Sequence, residues 1–246
     1  RMSPASSALW HLRKIPAFSG LSREALTILA SDARPCERSR GEVLYSPGEA
    51  SDWVYILHGG RISAVHEASA CRTICLGYFS PGDIFGESGL WDPAPRDDKA
   101  VVTAPALLSV VPRVAMRLLL DEHPEVERAV LLQSIARRDA SFRRLRDALA
   151  LGARARLAAR LLELAERGHD TAHGRELGLS LRQHELAALV VTTRETITAE
   201  LARLEQDRLI VRKGRQIFLR DLARLRLVAR DETAPFDPKP FRRAVR

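Results

Sequence analysis

The sequence is short of several things, and each shortage excludes something. No run of eighteen or more apolar residues occurs in its 246 residues, so no segment has the composition to cross a bilayer as a helix. The N-terminal stretch RMSPASSALWHLRK lacks the uninterrupted apolar region of a secretory signal, and a cytoplasmic location with no membrane partner is expected. Three cysteines, Cys36, Cys71 and Cys75, are too few and odd in number for a secreted disulfide framework. Cys71 and Cys75 lie on one face of a single strand, about 13 Å apart at ~3.3 Å per residue, too far to bond to each other, so a thiol redox switch would need another partner. Catalytic signatures are missing as well. There is no P-loop, no HExxH and no Ser/His/Asp or Cys/His arrangement, so neither an enzyme nor a metal centre is expected.

What is present is enough for two ordinary cores, with 46% hydrophobic and 28% charged residues. The charge is lopsided. Residues 151–246 hold 20 Lys+Arg against 13 Asp+Glu, a surplus of seven, whereas residues 1–150 hold 19 against 18. A basic module joined to a near-neutral one suits polyanion binding. The bland reading is a genome that writes Arg wherever a solvated cation will do, and the scarcity of Lys agrees with that too.

Three regimes follow one another. A helix-like stretch, Ala17 to Asp32, precedes short β-type runs from Gly41 to Val111 (VLYS, WVYIL, RISAV, RTICLGYF, AVVTA, LLSVV), punctuated by Gly, Pro and Asp. These predict an antiparallel β domain. From Pro124 to Leu151 the pattern becomes a long helix, with Ile135, Phe142 and Leu149 in seven-residue steps and Leu131 and Leu145 between them. That seam predicts packing against a parallel copy, although Arg138 breaks it and a helix lying on its own β domain would also fit. Gly152 marks a hinge. Helices and a basic hairpin follow to about Leu227, and the tail from Asp231 to Arg246, with three prolines, reads as flexible.

Two capping boxes, Ser180 with Gln183 and Thr192 with Glu195, announce two helices separated by a tight turn. Leu186 and Leu189 face inward on the first; Ile197, Leu201 and Leu204 do so on the second. Short helix, turn, longer helix is the helix-turn-helix arrangement, whose second helix reads the major groove near its N-terminus. Arg194 and Glu195 stand there with Thr193 and Thr198, an Arg fork suiting guanine O6 and N7 and a carboxylate suiting cytosine N4. Arg203 is placed for phosphate. Lys213-Gly214-Arg215, between two β runs, reads as a wing whose charges meet the DNA backbone. The alternative is that Arg194 and Glu195 dress a solvated helix start. Val191 occupies the turn where Gly is usual, and a β-branched residue tolerates positive φ poorly, so either the turn is built differently or strain is stored there.

The segment LSLRQHELAALVVTTRETITAELARLEQDRLIVRKGRQIFLRDL resembles the winged-helix DNA-binding domain of the catabolite activator/FNR (CRP/FNR) family of bacterial transcription regulators. GEVLYSPGEASDWVYILHGGRI and SPGDIFGESGLWDPAPR resemble that family's cyclic-nucleotide-binding β-roll and its phosphate-binding cassette. The resemblance spans roughly Ile15 to Leu227. It implies an α+β protein with an effector-sensing β-roll at 1–123, a central dimerisation helix at 124–151 and a winged helix-turn-helix at 152–230. It also implies a homodimer on two-fold-symmetric duplex DNA, and RNA polymerase as a partner if the regulator activates. In the cyclic-nucleotide binders of this family a Glu holds the ribose and an Arg the phosphate, which puts Gly86, Glu87, Ser88 and Arg96 in the effector site.

The departures from the family pattern bear on the effector. Small or hydroxylated residues usually follow that Arg, whereas Asp97 and Asp98 follow Arg96, and like charges a few Å apart repel a phosphate. A Thr-Ser pair is expected on the central helix, where the register gives Phe142 and Arg143. Both argue against cyclic AMP and leave an altered nucleotide or no ligand open. Iron–sulfur sensing needs an N-terminal cysteine cluster, and only Cys36 lies near there. Haem would have to use Cys75, His66 or His58, each of which also reads as packing or surface. In the recognition helix a further Arg is usual four residues after the Glu, where this chain has Ala199. Val191 and Ala199 together support one reading of another class, an adaptor whose helix-turn-helix docks proteins.

Overall fold

The computed structural model describes residues 4–69, 72–166, 168–178, 181–214 and 216–230; Cys71, Ser180, Arg215 and the tail fall outside the described residues. The chain divides into two compact units, Arg1–Ala140 and Ser141–Arg246.

The first unit opens with α1 (Pro4–Leu12), a 3-10 turn at Pro16–Phe18 and α2 (Arg23–Asp32). The predicted helix from Ala17 is therefore two pieces. Ser22 separates them, its Oγ accepting from Ala25 N at 3.1 Å and so starting α2 at Arg23. Then come β1 (Arg34–Arg38), β2 (Val43–Tyr45), β3 (Trp53–Ser69), β4 (Arg72–Phe79), β5 (Ile84–Phe85), a 3-10 turn at Glu87–Leu90, β6 (Lys99–Pro112) and α3 (Arg113–Glu122). All the strand pairs are antiparallel, in the order β1-β6-β3-β4, with β2 on β6 and β5 on β3. Four of the short runs seen in the sequence are thus two long strands. WVYIL and RISAV join through Gly59 and Gly60, where the β3–β6 register shifts. Gly60 must be glycine. Its φ is +83°, and a Cβ there would stand 2.1 Å from the Pro105 carbonyl oxygen.

Two apolar clusters build this unit. One joins α1, α2, α3 and the start of α4 (Pro124–Ala150) to one side of the sheet through Leu12, Phe18, Ile56, Met116 and Leu120, all essentially inaccessible to water. The other lies among the strands and includes Tyr45, Tyr55, Phe79 and Phe85. Phe79 stacks on Phe85 at 4.3 Å and Phe85 on Tyr55 at 5.2 Å, with Tyr45 next at 5.7 Å. Burying an aromatic ring of this size stabilises by about 1.5–3 kcal/mol, with up to about 1 more for favourable ring geometry.

The second unit begins inside α4, at Ser141, and continues with α5 (Ala153–Ala165), β7 (Asp170–Thr171), β8 (Gly174–Glu176), α6 (Gln183–Val190), α7 (Arg194–Gln206), β9 (Ile210–Lys213), β10 (Gln216–Leu219) and α8 (Leu222–Ala229). The strands form a sheet in the order β7-β8-β10-β9. Leu186 and Leu189 of α6 and Ile197, Leu201 and Leu204 of α7 are buried, as the stripe in the sequence predicts. At the end of α4, Asp147 receives Arg160 of α5 at 2.6 Å in a buried ion pair, and Arg160 also reaches Glu163 at 2.8 Å. Gly152 separates α4 from α5.

Candidate nucleic-acid interface and effector cassette

Both predicted caps shift by a residue or two. Helix α6 starts at Gln183, where the Glu185 carboxylate accepts from Arg182 N at 2.6 Å. The α7 cap is Thr193 rather than Thr192, its Oγ1 accepting from Thr196 N at 3.2 Å. Hydroxyls stand at both 192 and 193, so spacing to Glu195 alone selected the wrong one. Glu195 instead turns toward its own backbone N–H and the Thr193 hydroxyl, which with neighbouring Arg194 hold its carboxyl below the usual range.

Arg194, Glu195, Thr198, Ala199 and Arg203 form the exposed face of α7. Thr198 Oγ1 donates to the Arg194 carbonyl at 2.9 Å and lies 3.3 Å from Gln183 Oε1, which ties the two helices together. The Arg203 guanidinium meets Glu200 at 2.6 Å. Arg194 also borders a cleft of about 350 Å³ with Arg182, Gln183, His184 and Arg212. Of these four neighbours none was anticipated, because they come from the start of α6 and from β9. In the wing, Lys213 precedes Gly214 at φ +61° and its Nζ lies 2.6 Å from His173 Nε2, on the loop between β7 and β8. Arg215 is outside the described residues.

Of the two outcomes that the sequence leaves open at the turn between α6 and α7, the structure has stored strain. Val191 has φ 58° and ψ 55°, in the left-handed region, at a cost of about 1–2 kcal/mol for a side chain with a Cβ.

The cassette of the first unit is built differently. Gly86 has φ +71°, and a Cβ on it would come within 3.0 Å of Arg96 Nη1. Arg96, 5% exposed, turns inward: Nη1 donates to the Gly86 carbonyl at 2.8 Å and Nη2 to the Trp53 carbonyl at 2.5 Å, with the guanidinium over the Tyr45 ring. Its buried Nε has no partner among the described residues. Glu87 accepts from Ser134 Oγ at 2.5 Å and Arg137 Nη2 at 2.6 Å, both on α4. Arg137 in turn lies over Phe79, so a guanidinium stands at each end of the aromatic stack. Ser88 lies in the 3-10 turn. Asp97 is exposed; Asp98 is half-buried, and burial first and Asp97 second raise its carboxyl above the usual range.

Ser134 and Arg137 are the residues of α4 that sequence reasoning missed. They stand one helical turn apart, a spacing that places both on one face. Phe142 and Arg143, expected toward a base, are both exposed. Leu131, Ile135, Leu145 and Leu149 of the predicted seam are exposed as well. Cys75 is buried beside Ser63, at 3.3 Å, and His58 reaches Ser109 Oγ at 2.7 Å. Both contacts are those of packed core groups. No cluster of three metal-ligating side chains occurs among the described residues, and none of their helices is long and apolar enough to cross a membrane.

Comparison with known proteins accounts for both halves. A cyclic nucleotide-binding domain model matches residues 36–123, and a Crp-like helix-turn-helix model matches residues 155–228. The cyclic AMP receptor protein of Thermus thermophilus is 30% identical over 207 residues, 81% of this chain and 89% of that protein. The chain belongs to the CRP/FNR family. A CRP-like cAMP-activated global transcriptional regulator of Mycobacterium tuberculosis is 29% identical, over 89% of this chain and 98% of that one. Among solved structures, a CRP-family regulator from Thermus thermophilus superimposes with a TM-score of 0.67 at 26% identity, covering 82% of this chain and 98% of that one. This CRP/FNR protein is a transcription regulator with a DNA-binding helix-turn-helix domain and a cyclic-nucleotide-binding-type β-roll, and it is not an enzyme.

Proposed function

We propose that the protein works in the cytoplasm as a homodimer on a two-fold-symmetric DNA site, with α7 in the major groove. The observation that carries this reading is α7 itself, which packs Ile197, Leu201 and Leu204 completely and leaves Arg194, Glu195 and Thr198 exposed at its start. Arg194 offers its fork to guanine and Glu195 accepts from cytosine. Thr193, Arg203, Lys213 and Arg215 meet the phosphates. In this reading residues 1–123 sense, 124–151 join the protomers and 152–230 hold DNA. The exposed Leu131, Ile135, Phe142, Leu145 and Leu149 support the dimer, because large apolar groups repeated along a helix mark a surface that a partner covers. RNA polymerase is a partner if the protein activates. Selection from random duplexes should return an inverted repeat with half-sites about one helical turn apart. A single asymmetric site would overturn the symmetric reading.

The finer part is control by an effector at the cassette. A nucleotide phosphate suits the Gly86 backbone and the unpartnered Nε of Arg96. The carboxylates of Asp97 and Asp98 stand against cyclic AMP. A second reading, favoured by Ser134 and Arg137 holding Glu87, is a cassette already joined to α4 without a ligand. Thermal unfolding with cyclic AMP and with cyclic GMP separates the two. A nucleotide at a hundred times its Kd adds about 2.7 kcal/mol, roughly 5 to 10 °C in a chain of this length. A rise of that size, lost in Arg96→Ala, supports the nucleotide. No rise with either supports the ligand-independent cassette.

A further inference from the structure

From the geometry around the strained turn we infer that Arg156 is a positioning residue for the recognition helix, one guanidinium binding the end of the central helix to the turn of the helix-turn-helix. The inference rests on the reading of α7 as the DNA-reading element. Arg156 lies in the first turn of α5 and donates in three directions: Nη1 to the Leu151 carbonyl at 2.6 Å, Nε to the Val190 carbonyl at 2.9 Å and Nη2 to the Val191 carbonyl at 3.4 Å. Leu151 directly follows the last residue of α4, and Val190 is the last residue of α6.

Carbonyls at a helix C-terminus lack intrahelical donors and carry the negative end of the helix dipole. A planar cation with donors in a fixed fork meets two such ends at once, which an ammonium on a flexible stem does poorly. The third contact falls on Val191, the residue held at φ 58°. A valine freed from its surroundings leaves that conformation. Only Thr192 and the cap Thr193 separate Val191 from Arg194, so relaxation at the turn re-aims α7 while leaving its packed face in place. Displacement of the end of α4 reaches α7 by the same route, since Leu151 and the turn share one guanidinium.

The test uses the full chain and fluorescence anisotropy against two duplexes of equal length at one salt concentration, the selected operator and an unrelated sequence. Arg156→Gln should weaken operator binding roughly tenfold and leave non-operator binding within about twofold, because phosphate contacts tolerate a re-aimed helix better than base contacts do. Arg156→Lys should fall between the two, and it carries the test by the same criteria if Arg156→Gln does not fold. Adding Val191→Gly to either variant should restore part of the operator affinity, since glycine adopts the left-handed turn unaided. A uniform loss on both duplexes, no loss, or a Val191→Gly effect that is simply additive would overturn the inference. Arg194→Ala is the control. If it weakens operator binding while the Arg156 variants do not, only the role of Arg156 fails; if it does not, the reading of α7 fails and this inference with it.

Discussion

The effector cassette and the exposed face of α7 place their arginines in opposite ways. In the first, Arg96 and Arg137 turn inward, donating to backbone carbonyls and to Glu87 and covering the two ends of an aromatic stack. In the second, Arg194 stands in solvent on a helix whose other face is fully packed, and Arg203, though bridged to Glu200, is itself largely exposed. Removing a buried guanidinium strips buried carbonyls of their donor and weakens the fold, whereas an exposed one can be removed at little cost to stability. The same residue type therefore reports architecture in the cassette and recognition on α7. Substitutions should separate those roles cleanly.

The largest effect is expected at Arg96. Arg96→Met leaves the Gly86 and Trp53 carbonyls without their charged donor and removes the cation over Tyr45, which should destabilise the chain by about 2–4 kcal/mol in urea unfolding. Non-operator DNA binding per folded molecule should not change. Arg194→Ala is its counterpart. Unfolding should move by less than about 0.5 kcal/mol, while operator affinity falls by about 1–3 kcal/mol, with discrimination lost at one base pair of each half-site. A large stability loss at Arg194, or none at Arg96, would break the contrast.

Acid should also tell the units apart. His58, in the first unit, has its pKa lowered to about 4 by burial, with His11 a smaller cause. Unfolded, it takes up a proton near its ordinary 6.5, so its contribution is present above that value and is lost as pH falls from about 6.5 toward 4. Glu205, in the second unit, is held below its ordinary 4.5 by Arg212, which it meets at 2.6 Å. Its contribution is present above 4.5 and fades only below it. His58→Gln should flatten the fall of the first unit's unfolding midpoint, followed by hydrogen exchange, between about pH 6.5 and 4.5, a fall that the raised carboxyl of Asp98 works against. A slope left unchanged by His58→Gln would contradict the assignment.

The elements of the second unit were the more legible in the sequence, and the reason is local. Leu186, Ile197, Leu201 and Leu204 repeat at helical spacing, and the Val191 strain followed from one residue standing where a turn needs positive φ. The α7 cap slipped because Thr192 and Thr193 are chemically alike, and only backbone geometry chooses between them. In the first unit the cassette motif was legible, but the roles of its side chains were not. Whether Arg96 faces a ligand or the Trp53 carbonyl depends on β3 crossing beneath it, more than forty residues earlier in the chain. Ser134 and Arg137 were invisible for the same reason: what singles them out is Glu87, forty-seven and fifty residues away. The joining of WVYIL and RISAV into one strand likewise rests on a distant partner, β6, with which both runs pair.

The smallest effect is expected at Val191 alone. Two residues other than glycine hold positive φ among those described, Val191 at 58° and Arg208 at 59°, which makes each the control for the other. Glycine relieves the left-handed cost, about 1–2 kcal/mol, but makes the unfolded chain more flexible by roughly 0.4–1 kcal/mol. Val191 carries the β-branch, for which that conformation is most unfavourable. Val191→Gly should therefore stabilise by up to about 1 kcal/mol, and Arg208→Gly by less. The turn also sits between α6 and the helix proposed to meet DNA, whereas Arg208 lies beyond the C-terminal end of α7. With Arg156 intact, Val191→Gly should leave operator affinity nearly unchanged, because the guanidinium's contacts to the Val190 and Val191 carbonyls still hold the turn. If stability rises and operator affinity falls together, the strain at Val191 is itself part of how α7 is aimed, and the wild-type valine is then a functional choice in place of a tolerated one.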